Sequence, residues 1–227
     1  DGDGVADGTD AFPLNASESA DADSDGTGNN ADNNDDNDGV VDTADSYPFD
    51  ASRSAANTGI LSTFNGDSAG DQFGCSVSTA GDVNNDGYAD VIVGAYQDDN
   101  NGDSSGSARV VSGANGSILY AFNGDSATDR FGYSVSAAGD VNNDGYSDVI
   151  VGAYGDDNTG TDSGSARVFS GANGAILYTF NGDSAGDNFG SSVSEAGDVN
   201  NDGFDDVIVG ARYDANNSSA RVFSGAN

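Results

Sequence analysis

The sequence predicts an all-β protein in which three tandem units of four short antiparallel strands follow an irregular, Asp-rich segment. One observation is a segment, residues 81–95, that recurs almost unchanged as residues 139–153 and 197–211, 58 residues apart each time. The other is that residues 1–52 are rich in Asp and Asn and hold few apolar side chains. The predicted parts are therefore residues 1–52 and 53–227, the latter divided into repeats of about 58–115, 116–173 and 174–227.

Each repeat contains four candidate strands, which are short runs of β-branched, aromatic and small residues separated by Gly, Asn, Asp and Ser. In the second repeat they are residues 118–122, 133–138, 148–153 and 166–170. Four short strands within 58 residues form a blade-like pattern, in which each unit packs against its neighbours.

Each repeat also contains a loop of the pattern D-x-N-x-D-G, with oxygen-bearing side chains at alternate positions. In such loops positions 1, 3, 5 and 9 offer side chains to a cation, position 7 offers its backbone carbonyl, and the glycine at position 6 permits a sharp turn. Oxygen donors without nitrogen or sulfur favour calcium. The predicted ligands are Asp82, Asn84, Asp86, Tyr88 and Asp90, then Asp140, Asn142, Asp144, Tyr146 and Asp148, and finally Asp198, Asn200, Asp202, Phe204 and Asp206.

These loops differ from EF-hand loops, because position 12 holds Val93, Val151 or Val209 where an EF-hand has a bidentate Glu. The residues that follow are a short β-branched run, which predicts a strand and not a helix. Asp, Asn and Gly also favour turns that bind no ion. Three copies with the same ligand spacing favour the ion site over a plain turn.

Two further dipeptides flank each loop. Phe-Gly precedes it at residues 73–74, 131–132 and 189–190, and Gly-Ala follows it at 94–95, 152–153 and 210–211. Over residues 58–227 the chain thereby resembles the FG-GAP repeats of integrin α-chain propellers and of many bacterial surface proteins. The proline that this family places after Gly-Ala is replaced by Tyr96, Tyr154 or Arg212. The resemblance implies propeller-type blades with calcium at the blade edge, and a role in adhesion or extracellular scaffolding.

Residues 1–52 contain Asp-rich loops with a second spacing, and this segment resembles thrombospondin type 3 calcium repeats. Up to three ions are predicted here, which brings the chain to about six calcium sites. Without calcium we expect a disordered acidic linker, because like charges repel and there is little apolar surface to bury. The predicted ligands are Asp21, Asp23, Asp25, Thr27, Asn29 and Asp32; Asn34, Asp36, Asp38, Val40, Asp42 and Asp45; and Asp1, Asp3, Asp7 and Asp10.

Composition excludes several classes of function. The formal net charge of −33 argues against binding to nucleic acid or anionic membranes, and no apolar run is long enough to span a bilayer. The chain has no His and no Lys, so Ser-His or Cys-His catalysis is excluded and we predict no enzyme.

A start at Asp1, within a loop motif, suggests a processed piece of a longer secreted protein, located outside the cell or on a bacterial surface. The single cysteine, Cys75, is predicted to be a free thiol.

The ends of the repeats suggest how chains associate. The first two repeats continue from Ser-Gly-Ala-Asn-Gly into Ile118-Leu119 and Ile176-Leu177, and residues 56–61 resemble that continuation. Residues 61–64 are thus predicted to complete the third blade of another chain, in a head-to-tail homo-oligomer that forms a filament or surface fibre, with a closed ring as the other geometric outcome. The alternative is a ligand- or glycan-binding fragment of a seven-bladed surface propeller. The arginines at positions 109, 167 and 221 are expected to form ion pairs between repeats and not to capture ligands.

Overall fold

The computed structural model describes residues 2, 4–45, 47–52, 61–214 and 218–225. The chain divides into two compact units, Asp1–Thr63 and Phe64–Asn227. The described part of the first unit consists of turns and one 3₁₀ turn, Asp42–Ala44, whereas the second is built of β-strands. None of the described residues belongs to a helix that is long and apolar enough to cross a membrane.

Three antiparallel sheets form the second unit, which confirms the predicted fold class. The third has three strands among the described residues, where four were predicted. The first sheet contains β1 (Ser76–Gly81), β2 (Asp90–Ala95), β3 (Ser107–Val111) and β4 (Ile118–Asn123). The second contains β5 (Phe131–Gly139), β6 (Asp148–Ala153), β7 (Ser165–Phe169) and β8 (Ile176–Asn181). The third contains β9 (Phe189–Gly197), β10 (Asp206–Ala211) and β11 (Ser219–Phe223).

The sheets are offset from the repeats that were drawn on the sequence. The prediction grouped residues 118–122 with the strands that follow them, but β4 pairs with β3, which precedes it, and Phe122 lies opposite Ala108. A short turn joins β3 to β4, so the two strands form a hairpin. The first and second sheets are consequently each completed by a strand from the start of the next sequence repeat.

Apolar residues of neighbouring sheets pack face to face. One buried cluster joins the first two sheets and includes Ile92, Val110 and Phe131; the second joins the last two and includes Ile150 and Val168. Strand β6 is buried at all six positions, because it has a partner strand on both sides and a sheet on both faces. This explains why its sequence, Asp-Val-Ile-Val-Gly-Ala, is apolar and does not alternate.

The sheets approach so closely at the Gly-Ala pair that no side chain fits there. A Cβ atom on Gly94 would lie 1.9 Å from the carbonyl oxygen of Gly132, and one on Gly152 would lie 2.0 Å from that of Gly190. The glycine of Gly-Ala in one sheet therefore faces the glycine of Phe-Gly in the next. At Gly210 the nearest atom to such a Cβ is 3.6 Å away.

An arginine lies over each Phe-Gly phenylalanine. The Arg167 guanidinium is 5.7 Å from the centre of the Phe131 ring and 2.5 Å from the Asp125 carboxylate, in the segment that joins the first sheet to the second. Arg109 and Arg221 have equivalent ring and carboxylate partners. Each arginine thus forms an ion pair, but with a carboxylate of its own sequence repeat and not with a neighbouring repeat as predicted. Each also forms a cation–π contact.

Candidate metal centres

The three repeat loops connect the first and second strands of their sheets and have the same hydrogen-bond pattern. In the second repeat both Asp140 carboxylate oxygens accept backbone N–H groups, from Asp144 at 3.0 Å and from Gly145 at 2.8 Å. The Asn142 side-chain oxygen also accepts the Asp144 N–H, at 2.9 Å. Gly145 has φ +88°, which a side chain would disfavour. The loop fold therefore places the side chains of positions 1, 3 and 5 around one turn.

The Asp at position 9 of each loop anchors the loop to its sheet. The Asp148 side chain is fully buried, with one oxygen accepting the Val141 N–H at 3.0 Å and the other accepting the Gly171 N–H at 2.9 Å. Asp90 and Asp206 make the same two contacts in their own repeats. A carboxylate oxygen can accept more than one hydrogen bond or ligate a cation in addition. Position 9 is consequently both a structural anchor and a candidate ligand.

Burial raises the pKa of Asp148 to about 6, and the Asp144 and Asp140 carboxylates add to the shift, whereas hydrogen bonds from Gly171 and Val141 oppose it. A neutral acid is a poor ligand for a hard cation. A cation held by the same loop would offset the cost of burying this charge.

We expect the calcium-free protein to lose stability through Asp148 as the pH rises. Because the folded pKa lies above the ordinary value of 3.8, this group contributes fully below pH 3.8, and the contribution is lost as the pH rises through about 6. The free energy of unfolding of the wild type, relative to Asp148→Asn, should therefore fall by up to about 3 kcal/mol between pH 4 and pH 7 in chelator. Urea titrations at several pH values measure this difference. A difference that does not change with pH would contradict the assignment.

The amino-terminal unit brings carboxylates together in two groups. The ligand oxygens of Asp21, Asp23 and Asp25 lie within 4.8 Å of one another, as do those of Asp36, Asp38 and Asp45. These are predicted positions 1, 3 and 5 of one loop, and 3, 5 and 12 of the next. Among the described residues, groups of three such carboxylates occur only in this unit; the repeat loops, with Asn at position 3, form none.

Several oxygens in this unit are buried and accept no hydrogen bond. They are Asp10 Oδ2, Asp21 Oδ1, Asn34 Oδ1, Asp35 Oδ1, Asp36 Oδ2 and Asp38 Oδ2. A buried carboxylate oxygen without a donor costs free energy, and a bound cation would remove that cost. The residues present thus fit divalent cations in both carboxylate groups.

The other predicted ligands of this unit are less directly placed. The Asn29 side-chain oxygen accepts the Ala22 N–H, and Asp42 Oδ1 accepts the Asp35 N–H. Asp32 Oδ1 accepts two backbone N–H groups. Asp7 and Thr27 are exposed, and Val40 is half-buried. Asp1 and Asp3 lie outside the described residues.

Sequence reasoning missed three acidic residues in or beside the loops. Asp35 is buried, and burial together with nearby carboxylates, Asp42 foremost, raises its pKa. Glu18 is also buried and accepts the Asn30 N–H at 3.0 Å. Asp205 accepts the Asp140 N–H at 2.8 Å and so links the loops of two repeats. Of these three, only Glu18 could have been singled out in the sequence, because it is one of two Glu among 39 acidic residues.

The repeats match a known family, and the chain has relatives of known name. The FG-GAP repeat matches residues 73–111, 131–169 and 189–223. The chain is 38% identical over 118 residues to integrin alpha-PS5 of Drosophila melanogaster, covering 48% of this chain and 11% of that protein.

Two further relatives match over longer stretches. Integrin alpha-V of Gallus gallus is 30% identical over 150 residues, which cover 63% of this chain and 14% of the relative. Integrin alpha-11 of Homo sapiens is 34% identical over 166 residues, with 67% and 14% covered. The chain thus spans about a seventh or less of the length of these relatives. It belongs to the FG-GAP repeat family and is homologous to integrin alpha chains.

Proposed function

We propose that the chain is a calcium-stabilised, non-catalytic, extracellular segment that acts in adhesion and associates head to tail with further copies of itself. The similarity to integrin alpha chains supports the adhesive, extracellular role. The preformed repeat loops and the unpartnered carboxylate oxygens of the amino-terminal unit support the calcium sites. A bacterial source and the likeness of residues 1–52 to thrombospondin type 3 repeats stay predictions.

The single observation that carries the association concerns the two outermost sheets of the second unit. Each of them exposes a face whose equivalents inside the unit are buried. We call the front of a sheet the face that points towards the preceding sheet, and the back the face that points towards the following one. On the front face of the first sheet, Val77 is 66% exposed, whereas its equivalents Val135 and Val193 are buried by the preceding sheet. On the back face of the third sheet, Val199 is 61% exposed, whereas its equivalents are buried by the following sheet. These faces are the two halves of an interface that occurs twice inside the unit.

Strand completion supports the same arrangement. Residues 60–65, Ile-Leu-Ser-Thr-Phe-Asn, align with β4 and β8, the strands that complete the first two sheets. Residues 61–66 belong to no strand, and Leu61 is 99% exposed, although its equivalents Leu119 and Leu177 pack against the core. Residue 60 lies outside the described part of the chain. In the described residues, the outer edge of β11 has no partner strand.

Head-to-tail contact would use both features at once. Residues 60–65 of one copy add to β11 of another, and the front face of its first sheet covers the exposed back face of the third. The same contact repeats at every junction, so it generates a ring if the rotation closes and a filament if it does not. In a longer polypeptide, additional repeats would cover the same faces within one chain.

Gly210 offers a variant that separates association from folding. Its equivalents face a carbonyl oxygen of the next sheet, but a Cβ at Gly210 has no atom nearer than 3.6 Å. The Gly210→Ala chain should therefore fold normally, yet clash with the first sheet of a second copy.

Electron microscopy and analytical ultracentrifugation in millimolar calcium test this proposal. We expect filaments or rings for the wild type, a folded monomer for Gly210→Ala, and dissociation of the wild type on chelation. A wild type that stays monomeric at about 100 µM would overturn self-association, as would unchanged assembly of the Gly210→Ala variant.

The second candidate function is a ligand- or glycan-binding fragment of a larger propeller. It is favoured by a break in the repeat pattern after the third Gly-Ala pair, where the segment from residue 212 to 218 is four residues shorter than its equivalents at 96–106 and 154–164. Ligand sites often break the symmetry of a repeat protein. A chain that is monomeric in calcium would favour this candidate.

A further inference from the structure

A cavity of about 220 Å³ opens between the second and third sheets, at the opposite ends of the strands from the Asp-rich loops. Its lining consists of Tyr133, Tyr154, Asn188, Ser191, Arg212 and Tyr213. Tyrosine rings combined with a few polar groups are a common composition for a small-molecule site. The volume is below the usual range for drug-sized ligands, and so fits a single small ring.

The cavity exists because one aromatic side chain is missing. Between the first two sheets the equivalent space holds Tyr133, whose ring meets Tyr96 at 5.4 Å and Tyr154 at 4.5 Å, both edge to face. The residue equivalent to Tyr133 in the third repeat is Ser191. The short Ser191 side chain donates to the Gly210 carbonyl at 3.4 Å and leaves the rest of the space open.

The cavity is lined by positions that differ among otherwise near-identical repeats. Position 72 is Gln and its equivalents are Arg and Asn; position 75 is Cys, then Tyr and Ser; position 97 is Gln, then Gly and Tyr. The Phe-Gly and Gly-Ala pairs beside them do not change. Other positions vary as well, such as Thr79 with its equivalents Ala137 and Glu195, but the varying positions named above lie beside dipeptides that do not change. Their side chains therefore set the chemistry of this space while the sheet contacts beside them stay the same.

Charge is the second distinguishing feature. In a chain with 6 basic and 39 acidic residues, three arginines of the repeats are ion-paired to Asp. Arg130 and Arg212 form no ion pair with any carboxylate of the described residues. Arg212 lines the cavity and lies 5.1 Å from the Tyr213 ring centre; Arg130 lies 5.0 Å from that of Tyr154. One of these two unpaired arginines thus lines the cavity, and the other lies over the ring of a lining residue, Tyr154.

We propose that this cavity binds one anionic sugar ring, a uronic acid unit of a polysaccharide. The Tyr133 and Tyr154 rings pack against the apolar face of the pyranose, and the Arg212 guanidinium pairs with its carboxylate. Asn188 donates through its side chain to the carbonyl oxygens of Asp162 and Tyr154, which leaves its side-chain oxygen to accept from a sugar hydroxyl. The proposal rests on the second candidate function, the ligand- or glycan-binding role, and adds its site and ligand class.

Three variants test the site in calcium-loaded protein, with D-glucuronate as probe and D-glucose, which has a hydroxymethyl group in place of the carboxylate, as its matched control. Ser191→Tyr fills the cavity with the side chain that the preceding repeat already accommodates. Ser194→Tyr makes the same change at an exposed position of the same strand. Arg212→Gln removes the charge and keeps the cavity. Titrations followed by protein NMR chemical shifts measure the dissociation constants.

We expect millimolar binding of glucuronate and at least tenfold weaker binding of glucose. Ser191→Tyr should abolish binding, Ser194→Tyr should keep it, and Arg212→Gln should remove the preference for glucuronate. Absence of glucuronate binding to the wild type would overturn the proposal, as would unchanged binding by Ser191→Tyr. Because Ser191→Tyr should leave calcium stabilisation and assembly intact, those two measurements test the first proposed function separately from the cavity.

Discussion

Removal of calcium is expected to lower the unfolding midpoint of the β-sheet unit by about 15–30 °C. Each of three sites adds about 2.7 kcal/mol when calcium is at 100 times its dissociation constant, or about 8 kcal/mol together. A domain of this size shifts by about 2–4 °C per kcal/mol. The loops carry the effect because each packs several carboxylates around one turn, and a divalent ion offsets their repulsion.

Differential scanning calorimetry in calcium and in chelator measures the shift. Ionic strength must be matched, because salt alone screens a chain with a net charge of −33. Magnesium at the same concentration is the control for ion type, since it demands stricter octahedral geometry and should stabilise less. Equal midpoints in calcium and chelator would contradict the assignment of all three repeat loops.

The largest effect of a single substitution is expected at Gly152. An added methyl group would lie 2.0 Å from the Gly190 carbonyl oxygen, and neither backbone can move without separating two packed sheets. Gly152→Ala should therefore destabilise the unit by about 3 kcal/mol, which corresponds to about 6–12 °C. Thermal unfolding, followed by circular dichroism at low protein concentration, measures it.

Gly210→Ala is the matched control, because it makes the same change in the same motif. Its added methyl group has 3.6 Å to the nearest atom, so the variant should be neutral or slightly more stable than wild type. Equal destabilisation by the two variants would mean that the glycines serve strand conformation and not the approach of the sheets.

Local patterns were readable from the sequence wherever chain neighbours make the contacts. The loop ligands of positions 1, 3 and 5 fold onto their own turn through hydrogen bonds that span two to five residues, as with Asp140 and Gly145. The strand β6 was located correctly from its β-branched residues. The pairing of strands was harder to predict from the sequence, because the pairing of β4 with β3 depends on the hairpin and not on the repeat period.

The sequence by itself determined the number of repeats, the strands and the candidate cation loops, because these depend on short-range spacing and on residue type. Only the tertiary structure decided which residues meet across sheets. It placed Gly171 against Asp148 and Gly190 against Gly152, and it left a cavity at Ser191 where the preceding repeat has a ring. The physical reason is that close packing brings together residues tens of positions apart, and their spacing in the chain carries no periodic signal.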